Sequence, residues 1–446
     1  MYKIERVLPL IICLTQTCLL SLKNNFKIVR FFFCFCLFEC IFLCVLNAYE
    51  DNYFGISDAQ VGFFSSGGFG SDEGQKLRGG YTNLFGSLSV GIDIYGFDFK
   101  IGGSAIALLH KVKNNDMYSN VSDNENNISF RINNDEAKDF RYTSDTFILH
   151  TLYMSYKNSW GALIAGRFPL KLEWIGDYIE GISVGIDRFE DWKIQAGWFD
   201  AQAYGDPQEN VHFGYIKNLY EKYENYKIKN NYFLDIKYTN IFLNLNIYYN
   251  YFDTLFDSLG IKTDWNFEYK DFRFGTLFHY VFVSSSSQSP NTCLDPFMAN
   301  NVGLACYVEG TMGSVLGYLL QLEQSLNFKN WHFSIGYLQN DNRGTTNNLP
   351  IYSDNNPLEY NTVVYGGGAK TGYATFRYEW EKRYFLSFKY GLSHYYSGHQ
   401  WLFQDQFNAL AGVDFSHINV SVGYFNINDG GGYKNNIARI WLGFKF

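Results

Sequence analysis

From about residue 53 onward the chain repeats one pattern: an alternating stretch, a polar break, then another alternating stretch. Segment 241–251 shows it most clearly. Ile241, Leu243, Leu245, Ile247, Tyr249 and Tyr251 share one face, while Asn244, Asn246 and Asn250 share the other. Segment 261–270 does the same, with Ile261, Thr263, Trp265, Phe267 and Tyr269 opposed to Lys262, Asp264, Asn266, Glu268 and Lys270. Period two with one apolar side describes a strand between two different solvents.

The breaks fall into two classes. Short ones lie near Gly96, 157–159, 188–190, Asn240, Asp271, 329–330, 381–383 and Ser416. Between them come longer polar ones, at about 70–79, 111–141, 168–177, 201–230, 254–258, 284–312, 341–370, 396–403 and 427–435. Short turns alternating with long loops characterise transmembrane barrels, whose turns face the periplasm and whose loops face outward. Eight short turns join sixteen strands, and one more at each end makes eighteen, with a first strand at about 53–67. The predicted fold is all-β, a transmembrane antiparallel β-barrel of about 18 strands (16–18) with both termini periplasmic. Its long loops fall at about 111–141, 201–230, 284–312 and 341–370.

Composition supports strands over helices. Aromatics reach 20%, with 36 Tyr and 42 Phe, while Pro numbers only 7. Mean hydropathy is -0.19, and no apolar stretch beyond residue 48 approaches the roughly 20 residues of a membrane helix. A barrel strand needs only about ten residues with alternate ones facing lipid, so it can be polar on average.

Residues 1–48 read differently. Apolar runs 7–22 and 31–46 each follow basic residues (Lys3 and Arg6; Lys23, Lys27 and Arg30), and the second ends in Leu46-Asn47-Ala48 before polar Tyr49-Glu50-Asp51. This is a signal peptide with a plausible cleavage point, leaving 49–446 as a single barrel domain. Its length points to a translation start near residues 21–30. A transmembrane anchor is the alternative, although 31–46 is short and contains Glu39. The leader carries five Lys/Arg and two Asp/Glu; taking that +3 from the chain's -8 leaves -11 on residues 49–446. Such acidity argues against nucleic-acid binding.

The leader also holds six of the eight Cys, leaving Cys293 and Cys306 in the 284–312 segment between Pro290 and Pro296. A disulfide bracing an outer loop suits an oxidising compartment. Free thiols and a partner-linked Cys are the alternatives.

In the last strand Ala438, Ile440, Leu442, Phe444 and Phe446 alternate with Arg439, Trp441, Gly443 and Lys445. A terminal Phe on such a strand resembles the signal read by the outer-membrane barrel-assembly machinery. Trp160, Trp192, Trp198, Trp265, Trp331, Trp380 and Trp441 sit near strand ends, as an interfacial girdle requires.

Within 163–203, Leu-Ile-Ala-Gly-Arg-Phe-Pro is followed by Asp177-Tyr178-Ile179-Glu180-Gly181 and then by Trp192-Lys193-Ile194-Gln195-Ala196-Gly197-Trp198-Phe199. A strand ending Gly-Arg, a loop, an Ile-Glu-Gly start and a returning Ala-Gly strand resemble OprD-type porins. They are similar to the related Helicobacter and Campylobacter outer-membrane proteins, including the Hof family. The resemblance implies an eighteen-stranded, substrate-selective porin for small hydrophilic solutes, as a monomer or a trimer. The Pro-rich constriction loop of that family is represented here only by Pro169.

If apolar faces meet lipid, the opposite faces line a lumen. Parity then sends inward Asp98, Lys100, Lys193, Asp235, Lys237, Lys262, Asp264, Glu268, Arg273, Arg377, Glu379, Lys389, Asp414 and Arg439. On the lipid face a basic residue would cost about 2–4 kcal/mol at the midplane. Opposed acids and bases create a transverse field that selects solutes. In OprD-like porins a ladder of basic residues guides acidic solutes, and the matching candidates are Arg167, Arg273, Arg377 and Arg439. Alternatively, these bases pair with neighbouring carboxylates and stiffen the wall.

Nothing points to an enzyme or a cofactor. Gly181-Ile182-Ser183-Val184-Gly185 matches a hydrolase elbow but lies within one strand. Gly366-Gly367-Gly368-Ala369-Lys370-Thr371 lacks the Gly before Lys that a phosphate loop needs. The eight His show no paired metal-ligand spacing. A TonB-dependent transporter needs about 22 strands and a plug, more than this length allows. The expected function is passive diffusion of small hydrophilic solutes through an outer membrane. A surface adhesin acting through the Asn/Asp-rich 111–141 and 341–370 segments is the alternative.

Overall fold

The computed structural model describes residues 53–70, 77–113, 146–208, 210–214, 230–253, 256–285, 315–341, 345–346, 349, 357–359, 362–366, 368–397, 400–429 and 433–445. The leader, Cys293, Cys306, Phe446 and most of 111–141 and 284–312 lie outside the described residues.

The strands are β1 (Tyr53–Gly70), β2 (Leu77–Ile94), β3 (Phe97–Lys113), β4 (Phe147–Asn158), β5 (Gly161–Pro169), β6 (Tyr178–Ile186), β7 (Trp192–Gly205), β8 (Asn210–Gly214) and β9 (Asn231–Thr239). There follow β10 (Leu243–Phe252), β11 (Phe256–Tyr269), β12 (Phe272–Ser285), β13 (Val315–Phe328), β14 (Trp331–Asn340), β15 (Lys370–Trp380), β16 (Tyr384–Ser397), β17 (Gln400–Asp414), β18 (Ile418–Asp429) and β19 (Tyr433–Lys445). Apart from β8, each strand pairs antiparallel with the next in the ring, β7 pairs with β9, and β1 pairs with β19 from Gln60↔Lys445 to Gly70↔Asn435. The result is a closed 18-stranded antiparallel barrel. Strand β8 stands outside the ring, pairing only with the end of β7.

Closure satisfies every strand edge, which hydrocarbon demands of a β structure. The alternation decides which solvent each row meets. Phe97, Phe99 and Ile101 on β3, Leu163 on β5, Ile261 and Trp265 on β11, and Leu386, Tyr390 and Leu392 on β16 are exposed on the outer face. Trp160, Trp192, Trp331 and Trp380 ring the short-turn end, with Trp401 and Phe403 at the loop end. Trp441 departs from the expected girdle. It packs edge-on against Phe64, a fully buried lumenal residue, because it shares the inward parity of Arg439.

All eight short turns fall where the polar breaks were read. The backbone enters the left-handed region at Tyr95 and Gly96, at Lys270, at Lys329, and at Glu381 and Lys382, a conformation tight hairpins require. The longer breaks need correction. Strand pairing runs through Phe252↔Phe256, Ser397↔Gln400 and Asp429↔Tyr433, so the paired strands extend into three of the expected loops. Strands here run past the apolar belt, and their ends are polar before the ladder stops. The expected 201–230 loop likewise contains the end of β7 and all of β8.

Candidate functional site: a lumen narrowed from three sides

The inner rows are not uniformly polar. Toward the loop end, Phe233, Phe252, Phe256, Val281, Val283, Leu319 and Leu338 point inward and are buried. They form one core with Leu170, Trp174 and Ile175 of the 170–177 loop, and with Leu349, Leu358, Val364 and Tyr365 of the 341–369 loop. Apolar wall is tolerable inside a barrel only where something covers it, and here two connections fold inward to do so.

The 170–177 loop is fastened at several points. Pro169 marks its start, but buried apolar side chains hold it in place of a proline-rich sequence. The Trp174 indole is 2% exposed and donates to the Tyr248 hydroxyl at 2.7 Å. That hydroxyl lies 2.7 Å from His279 Nε2. Indole N–H only donates, so Tyr248 accepts from it, and the direction of its second bond follows the His279 tautomer. Beyond His279 comes Gln321, which donates to the Tyr373 hydroxyl at 2.8 Å, and Tyr373 donates to Glu323 at 2.7 Å. This polar chain runs across β10, β12, β13 and β15. Gly260 and Gly336 make room for it: a Cβ at either would collide with the ring of Tyr248 or Tyr373. Asn250 and Gln202 bind the backbone carbonyls of Glu173 and Gly176. Tyr248→Phe would strand two buried partners, and we expect it to lower stability to urea by about 1–3 kcal/mol, measured on the refolded protein.

The 341–369 loop meets the first one, with Tyr365 edge-on to Trp174 at 5.8 Å. A short 3-10 turn (Thr362–Tyr365) carries the contact, and Asn340 binds the carbonyls of Val364 and Gly366.

The third element is the hairpin of β7 and β8. Its tip reaches the β2–β3 wall, where Asn83 of β2 donates to the Pro207 and Gln208 carbonyls and Ser104 of β3 donates to Asn210 at 2.6 Å. Pro207 fits against Gly62 of β1.

Against this frame the charged candidates separate by role. Lys262 holds both carboxylate oxygens of Glu173 at 3.1 Å, tying the wall to the first loop. Arg439 pairs with Glu359 at 2.7 Å, and Lys389 donates to the Pro357 carbonyl at 2.7 Å, so these two grip one segment of the second loop. Arg167 lies in an ion pair with Glu180 at 3.1 Å, donates to the Leu149 carbonyl, and stacks 4.5 Å over Phe213 of β8. The rest stay on the wall. Lys100 pairs with Asp98 at 3.4 Å, with Tyr153 donating to Asp98; Lys237 pairs with Asp235 at 3.1 Å. Near the short-turn mouth Arg377 pairs with Glu379 at 2.8 Å, while Arg273 binds Asn266 and lies 3.8 Å from Glu268. Asp264 continues the inward row of Lys262, opposite Asn244 and Leu277. Among the described residues, no group of three or more His, Cys, Asp or Glu is placed to hold a metal.

Sequence parity named the charges expected to face the lumen but not Glu173, Trp174, Tyr248, His279, Gln321, Glu323 and Tyr373. One available signal was the unbroken apolar run 277–283, Leu-Phe-His-Tyr-Val-Phe-Val, where alternation fails because both faces are covered.

No protein-family model and no curated protein sequence matches the chain. Solved structures do. OccK8 (OprE) of Pseudomonas aeruginosa superposes with a TM-score of 0.63 at 12% identity, over 89% of this chain and 98% of that one. OccAB4 of Acinetobacter baumannii gives 0.60 at 11%, over 88% and 99%. OpdK of P. aeruginosa, in a structure with vanillate, gives 0.60 at 9%, over 88% and 100%. The chain shares the fold of these outer-membrane channels, as its OprD-like segments led us to expect.

Proposed function

We propose that this chain is an outer-membrane porin of a Gram-negative cell, through which small hydrophilic solutes diffuse passively. The observation that carries the reading is the set of three connections folded into one closed barrel. They narrow a lumen that eighteen strands would otherwise leave wide, as a selective channel needs. A barrel serving only as a surface platform gains nothing from a built constriction. The described residues of the 341–369 segment, one of two that suggested an adhesin, are largely buried inside.

On this reading residues 1–48 are a removable export signal, 49–446 form the barrel, and both termini are periplasmic. Phe446, Phe444, Leu442 and Ile440 present the strand read by the barrel-assembly machinery. Cys293 and Cys306 brace an outer loop as a disulfide. The Occ channels share the fold; kinship with the Hof proteins in particular, and a monomeric or trimeric state, belong to the proposal.

Planar-bilayer recording of the purified full chain tests it. We expect stepwise, voltage-tolerant conductance. Silence at every voltage, from protein with the heat-modifiable mobility of a folded barrel, would sink the porin reading. Cell adhesion lost on deleting 111–141 would then favour the alternative.

A further inference from the structure

We propose that the channel conducts cations in preference to anions and so favours solutes carrying a net positive charge. This rests on the porin reading above and deepens it.

The lumenal bases are engaged. Lys100, Lys237, Lys262, Arg273, Arg377 and Arg439 each lie within 4 Å of a carboxylate, at 3.4, 3.1, 3.1, 3.8, 2.8 and 2.7 Å. The Lys389 amine is bound to a backbone carbonyl and lies within electrostatic reach of Glu323 and Glu359. An ion pair presents a dipole to a passing solute, and a dipole's field decays faster than that of a lone charge. Two of these bases also hold inward loops in place through their ion pairs, so they cannot turn toward an anion without releasing the constriction.

The carboxylates are not all matched. Asp58, Asp93, Asp264, Glu323 and Asp414 join no ion pair among the described residues, against Lys171, Lys193 and Lys389 on the basic side. Asp93 stands directly opposite Asp98 in the ladder, two acids beside one Lys100. Glu323 accepts a hydrogen bond from the uncharged Tyr373 hydroxyl. Asp58 of β1 lies within electrostatic reach of the Tyr178 hydroxyl. The chain as a whole leans the same way, with 44 Asp/Glu against 36 Lys/Arg. In a cleft with low-dielectric walls an excess of one sign is focused along the path, and rings of Asp and Glu give cation selectivity in channels.

The reversal potential of the purified full chain, in planar bilayers under a KCl gradient, tests this. We expect K+ to permeate several-fold better than Cl− near 0.1 M salt, where the screening length is about 10 Å, and the ratio to approach unity near 1 M. Glu323→Gln combined with Asp264→Asn should lower the ratio. Glu359→Gln, which removes a carboxylate from Arg439, should move it further toward anions. A wild-type channel that prefers Cl−, or a ratio unmoved by all three substitutions, would overturn the inference while leaving the porin reading intact. A folded protein without conductance would remove both.

Discussion

Trp174→Ala is expected to raise single-channel conductance well above the wild-type value and to make the open level noisy. The indole is the largest buried side chain of the 170–177 loop. It is buried against Tyr248 and His279 on one side and Tyr365 on the other. Removing it forfeits about 1.5–3 kcal/mol of side-chain burial and its hydrogen bond to Tyr248, whose hydroxyl keeps only His279. The loop would then lose its grip on both the wall and the 341–369 loop. The Lys262–Glu173 pair remains, so the loop stays tethered but moves, and that motion produces the noise. Bilayer recording gives both readouts. A conductance and noise level equal to wild type would show that the narrowest point lies elsewhere.

The second large effect concerns the outer wall. Ile261→Arg places a guanidinium on the apolar outer row of β11, midway along the strand, between Leu259 and Thr263. We expect a loss of about 2–4 kcal/mol, read as a lower urea midpoint for refolding into lipid vesicles. The neighbouring inward position gives the control: Asp264→Arg should stay within about 0.5 kcal/mol, because its side chain meets water. Equal losses at the two positions would contradict the assignment of faces. Lys262, one residue from Ile261, already shows that charge at this depth is acceptable on the inner row.

The barrel itself was legible because its signal is local. A strand between lipid and water must alternate, and a hairpin between strands must turn, so Ile241 to Tyr251 and the eight short turns declare themselves residue by residue. Parity also sorted Lys262, Asp264, Arg273, Lys389 and Arg439 onto one side of the wall without any knowledge of their partners. The loop lengths were read less well at 254–258, 396–403 and 427–435. Polar residues mark where lipid ends, whereas the hydrogen-bonded ladder continues beyond it.

What fills the lumen was decided only by tertiary structure. Nothing in the order Leu-Lys-Leu-Glu-Trp-Ile at 170–175 states that Trp174 meets Tyr248, 74 residues away, or that Glu359 will take the charge of Arg439. Such contacts depend on strand registers adding up around a closed ring, which brings distant loops to a common axis. The charges inside were therefore known by address from the sequence, but not by occupation. An unpaired arginine and one tethering a loop occupy the same parity, and only the partner across the lumen tells them apart.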